Sequence, residues 1–323
     1  MNSRFIGESE AYVKRISQEL INNIGSPVPF IKEIGSHILL GNGKLLRPLL
    51  FILSCKLLNY EREHIYPLCT VFEYIHVASL LHDDVLDNAE MRRNRPSVNN
   101  KWGDHVAILE GDFLYSRALT TALQTGSFRF LERVTRATNN MVEGQLMEIA
   151  HTSNLEITRQ EYMSIIEKKT AALLSAACGC AAVLADAKDR IETALSDFGH
   201  YLGIAFQLVD DLLDYTSSED IFGKPVGKDL REGKVTLPLI YALQEMEKMD
   251  RKKVRHLLEG KDISDSEYSY IIEKVAETNA ISHTKEEAFF YIKKAHDALS
   301  CFENSPAKIT LIELGNYIVH RNR

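Results

Sequence analysis

The sequence predicts an all-α protein, and three observations support this prediction. Between glycine and proline residues, apolar side chains recur every three to four positions, which is the period of an amphipathic helix. No long alternation of Val, Ile and Thr, the pattern typical of strands, is found in the sequence. The 8 Pro and 17 Gly residues fall near the ends of the periodic stretches. We therefore expect one large helical bundle.

The predicted helices follow one another through the whole chain, and their order comes from the apolar period and the breakers between them. No stretch has the composition of a linker or a low-complexity segment, so residues 1–323 are predicted to form a single domain. The helices are expected at residues 4–24, 29–40, 44–58, 64–87, 103–124, 128–150, 159–185, 189–215, 234–247, 250–259, 266–278, 280–303 and 306–320.

The composition is that of a soluble globular protein, with 45% hydrophobic and 26% charged residues among 323. A net charge of −7 argues against a nucleic-acid partner, so any anionic ligand must be held by local cations or a metal. The five Cys residues form no C-x-x-C pair and predict reduced thiols. The polar start and the short apolar run at 171–185 predict a cytoplasmic protein without a transmembrane segment.

Residues 80–87 carry three carboxylates, Asp83, Asp84 and Asp87, after an apolar run. Asp83 and Asp87 are four positions apart and therefore share one helix face. Like charges at that spacing repel each other, so we expect a cation over them. Oxygen ligands with room left for water suit Mg²⁺ that is shared with a phosphate. For this cluster alone, a solvated helix end is the alternative.

The same D-D-x-x-D pattern returns at Asp210, Asp211 and Asp214, again after an apolar run and before a loop that contains lysines. Recurrence in the same context predicts two helices that face each other and share several Mg²⁺ ions. Such ions neutralise a diphosphate and make it a better leaving group. If the diphosphate is allylic, the remainder of the cavity should be apolar and exclude water.

Two further stretches carry cations that could bind phosphate. In residues 41–48 two glycines precede Lys44 and Arg47 near a predicted helix start, where free backbone N–H groups and the helix dipole favour an anion. A surface turn is the alternative there. Arg92 and Arg93 follow the first aspartate cluster, and guanidinium groups bind phosphate oxygens through paired donors.

Together these motifs resemble the trans-type isoprenyl diphosphate synthases over residues 43–323. The ending at 320–323 and the loop at 223–238 are most similar to the long-chain polyprenyl synthases of that family. The resemblance implies an isoprenoid-synthase helical bundle with a central cavity, a homodimer and three Mg²⁺ ions per active site. It also implies head-to-tail condensation of isopentenyl diphosphate onto an allylic diphosphate such as farnesyl diphosphate. The implied product is all-trans octaprenyl diphosphate, a precursor of quinone side chains.

The resemblance also assigns site residues by position. The implied metal ligands are Asp83, Asp84, Asp87, Asp210, Asp211 and Asp214. The implied allylic diphosphate site comprises Arg92, Lys169, Thr170, Gln207, Lys224 and Lys234. The implied isopentenyl diphosphate site comprises Lys44, Arg47, His76 and Arg93. Catalytic roles fall to the first aspartate motif, Arg92, Lys169 and Asp210. Many members carry a third cation where this chain has Leu45, which affects only the detail of that pocket.

Product length is assigned to the residues just before the first motif. Ala78 and Ser79 precede Asp83 by five and four positions, about 6–7.5 Å along a helix axis. In the family an aromatic side chain at either place closes the product tunnel early, so two small residues imply a long product. Close helix packing is the alternative reason for small residues there.

Other functions remain as alternatives. A shorter-chain, geranylgeranyl-type synthase would use the same motifs. A di-iron carboxylate bundle needs two E-x-x-H pairs on facing helices, and the pairs Glu61/His64 and Glu73/His76 lie too close in sequence for that. A terpene cyclase would not need the isopentenyl diphosphate residues. A non-catalytic partner subunit usually loses its aspartate motifs, and both are intact here.

Overall fold

Helices account for most of the chain in the computed structural model, which describes residues 3–40, 43–216, 227–260 and 263–321. The predicted fold class, all-α, is confirmed. The α-helices are α1 (Ser3–Asn22), α2 (Pro29–Leu39), α3 (Leu46–Leu57), α4 (Ile65–Leu86), α5 (Val98–Trp102), α6 (Asp104–Leu123), α7 (Phe128–Ala150), α8 (Arg159–Ile166), α9 (Ala172–Leu184), α10 (Asp189–Thr216), α11 (Lys228–Arg231), α12 (Leu237–Glu245), α13 (Lys248–Leu258), α14 (Asp265–Ala276), α15 (Ala280–Ala298) and α16 (Pro306–His320).

A small hairpin stands where the sequence predicts only a loop. Strand β1 (Met91–Arg92) pairs antiparallel with β2 (Arg95–Pro96). The two turn residues, Arg93 and Asn94, have positive φ values of 51° and 61°, as a tight two-residue hairpin requires. Strands of two residues are too short to show any periodicity in the sequence. The hairpin matters because it presents successive arginines beside the end of α4.

The single helix predicted at 159–185 is interrupted. It begins with a capping box, in which the Glu161 backbone N–H donates to the Thr158 hydroxyl and the Glu161 carboxylate accepts from the Thr158 N–H. Between α8 and α9 the chain forms a π-helical turn, Glu167–Ala171. Such turns hold one extra residue and are frequent at functional sites. This one contains Lys169 and Thr170, two of the predicted site residues.

Two compact units emerge from the contacts between residues. The first comprises Met1–Thr138, Leu173–Gly199 and Leu299–Glu313. The second comprises Asn139–Ala172, His200–Ala298 and Leu314–Arg323. The prediction of one domain over the whole chain stays a prediction. No described helix combines the length and hydropathy that crossing a membrane requires.

The core of the first unit is built around α4, which is buried on most of its faces and packs against α3 and α6. A helix that is apolar nearly all round belongs in a protein interior. Phe51 of α3, Phe72 of α4 and Phe130 of α7 are fully buried, with ring centroids 5.2 to 6.3 Å apart. The Tyr74 hydroxyl donates to the carbonyl of Leu20 at 2.6 Å and fixes α4 to α1. These contacts hold the first half of α4 in the core of the first unit.

In the second unit, α12 packs against α15, and a polar contact joins them to α8. The carboxylate of Glu287 accepts hydrogen bonds from Arg159 and from the Tyr241 hydroxyl, each at 2.6 Å. Arg159 is the first residue of α8, which leads directly into the π-helical turn. The contact therefore fixes the start of the segment that carries Lys169 and Thr170.

Candidate active site

The first aspartate motif occupies the carboxyl end of α4 and lies in the first unit. Asp83 and Asp84 belong to the last turn, and Asp87 is the C-cap residue, whose N–H donates to the Asp83 carbonyl at 2.8 Å. Asp83 is half-buried, Asp84 is fully buried and Asp87 is exposed. Successive residues of a helix point about 100° apart, so the middle carboxylate turns inward while its two neighbours share the outer face.

Asp84 holds Arg92 in place. Two guanidinium nitrogens of Arg92 donate to the Asp84 Oδ1 atom, Nε at 2.8 Å. The Asp84 carbonyl accepts hydrogen bonds from the backbone of Ala89 at 2.8 Å and from the Asn99 side chain at 3.2 Å. The buried Oδ2 atom has no hydrogen-bond partner among the described residues. Asp84 thus anchors the chain that leaves α4, and its predicted metal ligation stays a prediction.

Cations gather beside this motif. Burial, and then the positive charges of Arg47, Arg93 and Arg92, hold the pKa of His76 well below its usual range. His76 is therefore neutral, and the three guanidinium groups supply the positive charge. Arg92 and Arg93 also line one cleft together with Leu80 of α4. The structure thus brings together three of the residues assigned to isopentenyl diphosphate and one assigned to the allylic diphosphate.

The segment before α3 adds a backbone contact to this group. A Cβ atom at Gly43 would lie 2.5 Å from a guanidinium nitrogen of Arg93, so the Arg93 side chain lies directly against the Gly43 backbone. Leu45 takes a left-handed conformation, φ 46°, immediately before α3. Between them Lys44 is exposed to solvent. The neighbouring residues 41 and 42, also part of the predicted phosphate loop, lie outside the described residues.

The second aspartate motif lies near the end of α10, in the second unit. Asp211 is 2% exposed, and its carboxylate accepts hydrogen bonds from the Tyr162 hydroxyl and from Gln207 at 2.8 Å. The Gln207 side-chain oxygen in turn accepts from the Thr170 hydroxyl at 2.8 Å. Three predicted site residues therefore form one hydrogen-bonded chain. As in the first motif, the middle aspartate is buried and bonded to the protein.

Asp214 is fixed by the start of α11. Its two carboxylate oxygens accept from the backbone N–H groups of Lys228 and Asp229, at 2.9 and 3.0 Å. Burial, and then the negative charge of Asp214, raise the pKa of Asp229 to about 7. Burial and the negative charge of Asp229 likewise raise the pKa of Asp211. Carboxylates that repel one another at low solvent exposure are stabilised by a cation, so this donor set fits a divalent metal ion.

Asp210, the first aspartate of the second motif, is paired with an arginine that sequence reasoning missed. The Arg321 side chain is 3% exposed, donates to the Asp210 carboxylate and also donates to the Phe206 carbonyl at 3.1 Å. Its guanidinium carbon lies 4.2 Å from the centre of the Phe206 ring. The Asp210 carboxylate itself remains 41% exposed, so it keeps an open side. Asp210 is thus held by the segment that follows α16.

The predicted lysines of the second unit are also ion-paired. Lys169 Nζ lies 2.5 Å from Glu148 Oε1, and Lys234 Nζ lies 2.7 Å from Glu232 Oε2. Lys224, the remaining lysine of the predicted allylic site, lies outside the described residues. Glu148 and Glu232 were not predicted, because nothing in the sequence indicates which carboxylates lie next to the lysines.

Within the described part of the chain, no three His, Cys, Asp or Glu side chains converge to form a complete metal site. Such a partial set suits an ion that takes its other ligands from water and phosphate, as Mg²⁺ does. The E-x-x-H pairs of the di-iron alternative do not form a bundle site. Glu73 and His76 belong to α4, and His64 is the residue immediately before it.

Comparisons with known proteins agree with these features. Residues 28–275 match the family model described as polyprenyl synthetase. The chain is 37% identical to an octaprenyl diphosphate synthase of Haemophilus influenzae, covering 96% of this chain and 94% of the relative. It is 35% identical to the octaprenyl diphosphate synthase of Escherichia coli over 100% of both chains. The shorter-chain and di-iron alternatives are not favoured by these matches.

Two solved structures are similar over nearly their whole length. One is a polyprenyl synthase from Caulobacter crescentus complexed with calcium and isoprenyl diphosphate. Its TM-score is 0.93 at 32% identity, with 99% of this chain and 98% of that chain covered. The other is a decaprenyl diphosphate synthase from Rhodobacter capsulatus, with a TM-score of 0.92 at 31% identity and 100% of both chains covered.

Proposed function

The chain belongs to the polyprenyl synthetase family, and from this premise we propose that it condenses isopentenyl diphosphate head-to-tail onto an allylic prenyl diphosphate. Family membership makes it a prenyltransferase. One observation carries the proposal. Asp84, in the motif at the end of α4, pairs with Arg92, and Arg47, Arg92 and Arg93 lie near the neutral His76 of the same helix. These are the groups that a metal-bound diphosphate requires.

The proposed metal is Mg²⁺, with three ions per active site. The Caulobacter crescentus relative was solved with calcium and isoprenyl diphosphate, which supports a divalent ion and this substrate class. When bound, Mg²⁺ neutralises the diphosphate and makes it a better leaving group. Asp83 and Asp87 offer ligand oxygens on the face of α4, and Asp210 and Asp214 offer them on α10.

The cationic side chains have distinct roles in this proposal. Arg92, oriented by Asp84, donates hydrogen bonds to the allylic diphosphate and stabilises the charge that develops as it leaves. Lys169 and Lys234 are also assigned to the allylic diphosphate in this proposal. Arg47 and Arg93 bind the diphosphate of the isopentenyl substrate, together with Lys44. His76, being neutral, hydrogen-bonds that substrate without adding charge.

The proposed product is octaprenyl diphosphate, made from a farnesyl diphosphate primer. Ala78 is buried in α4, and the half-buried Ser79 turns its hydroxyl back to the His76 carbonyl at 2.8 Å. Neither side chain is large enough to stop a growing prenyl chain. The octaprenyl diphosphate synthases at 35–37% identity also support a long product, whereas a geranylgeranyl diphosphate synthase of Methanosarcina mazei is 32% identical.

Product sizing tests this function directly. The protein is incubated with farnesyl diphosphate, excess isopentenyl diphosphate and Mg²⁺, and the dephosphorylated products are measured by mass spectrometry. We expect octaprenol as the main product and no turnover when a chelator removes the metal. Accumulation of geranylgeraniol would contradict the proposed length. Release of a cyclic hydrocarbon without consumption of isopentenyl diphosphate would contradict elongation.

We also propose that the protein is a homodimer. The exposed face of α7 carries an apolar stripe at Val142, Leu146 and Ile149, with exposed fractions of 56%, 61% and 49%. These residues are spaced at i, i+4 and i+7 and so share one helix face. Sedimentation should give twice the mass of one chain, and Leu146→Asp should give one chain mass. Phe290→Asp, a similarly exposed apolar residue on α15, should remain dimeric. A monomeric wild-type protein would rule the dimer out.

A further inference from the structure

The last turns of α7 contact the segment that carries Lys169. A Cβ atom at Gly144 would lie 2.5 Å from the backbone nitrogen of Lys169, so the helix approaches the π-helical turn as closely as two backbones allow. One turn further along α7, Glu148 Oε1 lies 2.5 Å from Lys169 Nζ. Both side chains are about three-quarters buried, with 21% and 26% exposed. The position of Lys169 is therefore set by α7 at both its backbone and its ammonium group.

The same end of α7 also holds the segment that carries Lys234. The backbone N–H of Ser153, just beyond α7, donates to the Gly233 carbonyl at 2.7 Å. Gly233 has a φ of 75°, and a Cβ atom there would lie 2.8 Å from the Ser153 hydroxyl, so this contact requires glycine. Burial lowers the pKa of Lys234, but the negative charges of Glu148 and then of Glu232 outweigh it and raise that pKa above its ordinary value.

From these contacts we propose that Glu148 is a positioning residue, which holds the ammonium groups of Lys169 and Lys234 at the allylic diphosphate. The inference rests on the proposed function and deepens it. An ammonium group at low solvent exposure is costly unless a carboxylate pairs with it, and each long lysine side chain has many rotamers. The Glu148 carboxylate is bonded to Lys169 and acts on Lys234, so it stabilises both charges and restricts both side chains. The lysines then meet the substrate already ordered.

Glu143 provides a matched control on the same helix. Its carboxylate pairs with Lys168, the residue before Lys169, but it is 59% exposed and no site residue has been assigned to that pair. Glu143→Gln and Glu148→Gln therefore make the same chemical change in the same kind of ion pair. Only the second removes charge from the predicted diphosphate site.

Glu148→Gln tests the inference through two readouts. We expect the KM for the allylic diphosphate, and the inhibition constant of inorganic pyrophosphate competing with it, to rise about tenfold or more. The KM for isopentenyl diphosphate and the Mg²⁺ concentration for half-maximal rate should stay unchanged. Glu148→Asp should raise these two constants less than Glu148→Gln does, and Glu143→Gln should leave both at their wild-type values. Circular dichroism confirms that each variant is folded.

A double-mutant cycle separates positioning from a general effect. In a Lys169→Met background, adding Glu148→Gln should raise the KM for the allylic diphosphate much less than it does in the wild type. The reason is that the ammonium group that Glu148 binds is already absent. An equal rise in that KM in both backgrounds, or an equal rise caused by Glu143→Gln, would overturn the inference. A change confined to Mg²⁺ dependence would also overturn it, by making Glu148 a metal ligand. If the wild type fails to elongate, direct calorimetry of pyrophosphate binding to the same variants still decides the role of Glu148.

Discussion

Replacing Asp83 or Asp210 with alanine is expected to lower turnover by about 100- to 1,000-fold while the fold stays intact. Both carboxylates lie on partly exposed helix faces, so neither is required for core packing. In the proposed function each offers oxygen ligands to the Mg²⁺ ions that neutralise the diphosphate. Asp210→Asn is a useful companion variant, because its amide oxygen can still accept the hydrogen bond from Arg321.

Steady-state rates at saturating Mg²⁺, together with circular dichroism, test this prediction. Asp297→Ala serves as the control, since Asp297 is 64% exposed and pairs with Lys293 on the surface of α15. That variant should keep the wild-type rate. Near-normal rates for Asp83→Ala and Asp210→Ala with unchanged spectra would show that these aspartates do not hold the catalytic ions.

The second large effect is expected from Ala78→Tyr, which should make the enzyme release a much shorter prenyl chain. Ala78 is 3% exposed within α4 and precedes Asp83 by five residues, about 7.5 Å along the axis. In the proposed function the product grows past Ala78, so a phenol ring at that place should block its further growth. The first condensations should still proceed, because in the proposed function the diphosphate groups bind at the carboxyl end of α4, about 7.5 Å from Ala78 along the axis.

A graded series makes the Ala78 result specific. Ala78→Ser should leave product length unchanged, Ala78→Leu should shorten it, and Ala78→Tyr should shorten it most, as measured by mass spectrometry of the dephosphorylated products. Unchanged product length in folded, active Ala78→Tyr would show that the chain grows in another direction.

The sequence predicts most of the helices well because their apolar period is long and regular. The helices expected at 128–150 and 306–320 have the same ends in the structure. The hairpin at Met91–Pro96 and the short helix α5 were missed, since neither is long enough to show a period. The π-helical turn was missed because one extra residue barely disturbs the apolar pattern of 159–185.

The candidate site was predicted only in part from sequence. The spacing of each aspartate motif shows which two carboxylates share a face, but not what the buried middle one contacts. Asp84 bonds Arg92, and Asp211 bonds Tyr162 and Gln207. Arg321 and Glu148 were missed for the same reason. Their partners are distant in sequence, and such pairings depend on tertiary packing.

The helix α4 has a consequence for how chain length is measured. It runs without a Pro or Gly from residue 68 to 86, so the spacing between its aspartates and Ala78 is fixed by the helical rise alone. In the proposed enzyme this fixed distance limits the total length of the prenyl chain, whatever the number of condensations that produced it. A longer primer should therefore undergo fewer additions and still end as the same product.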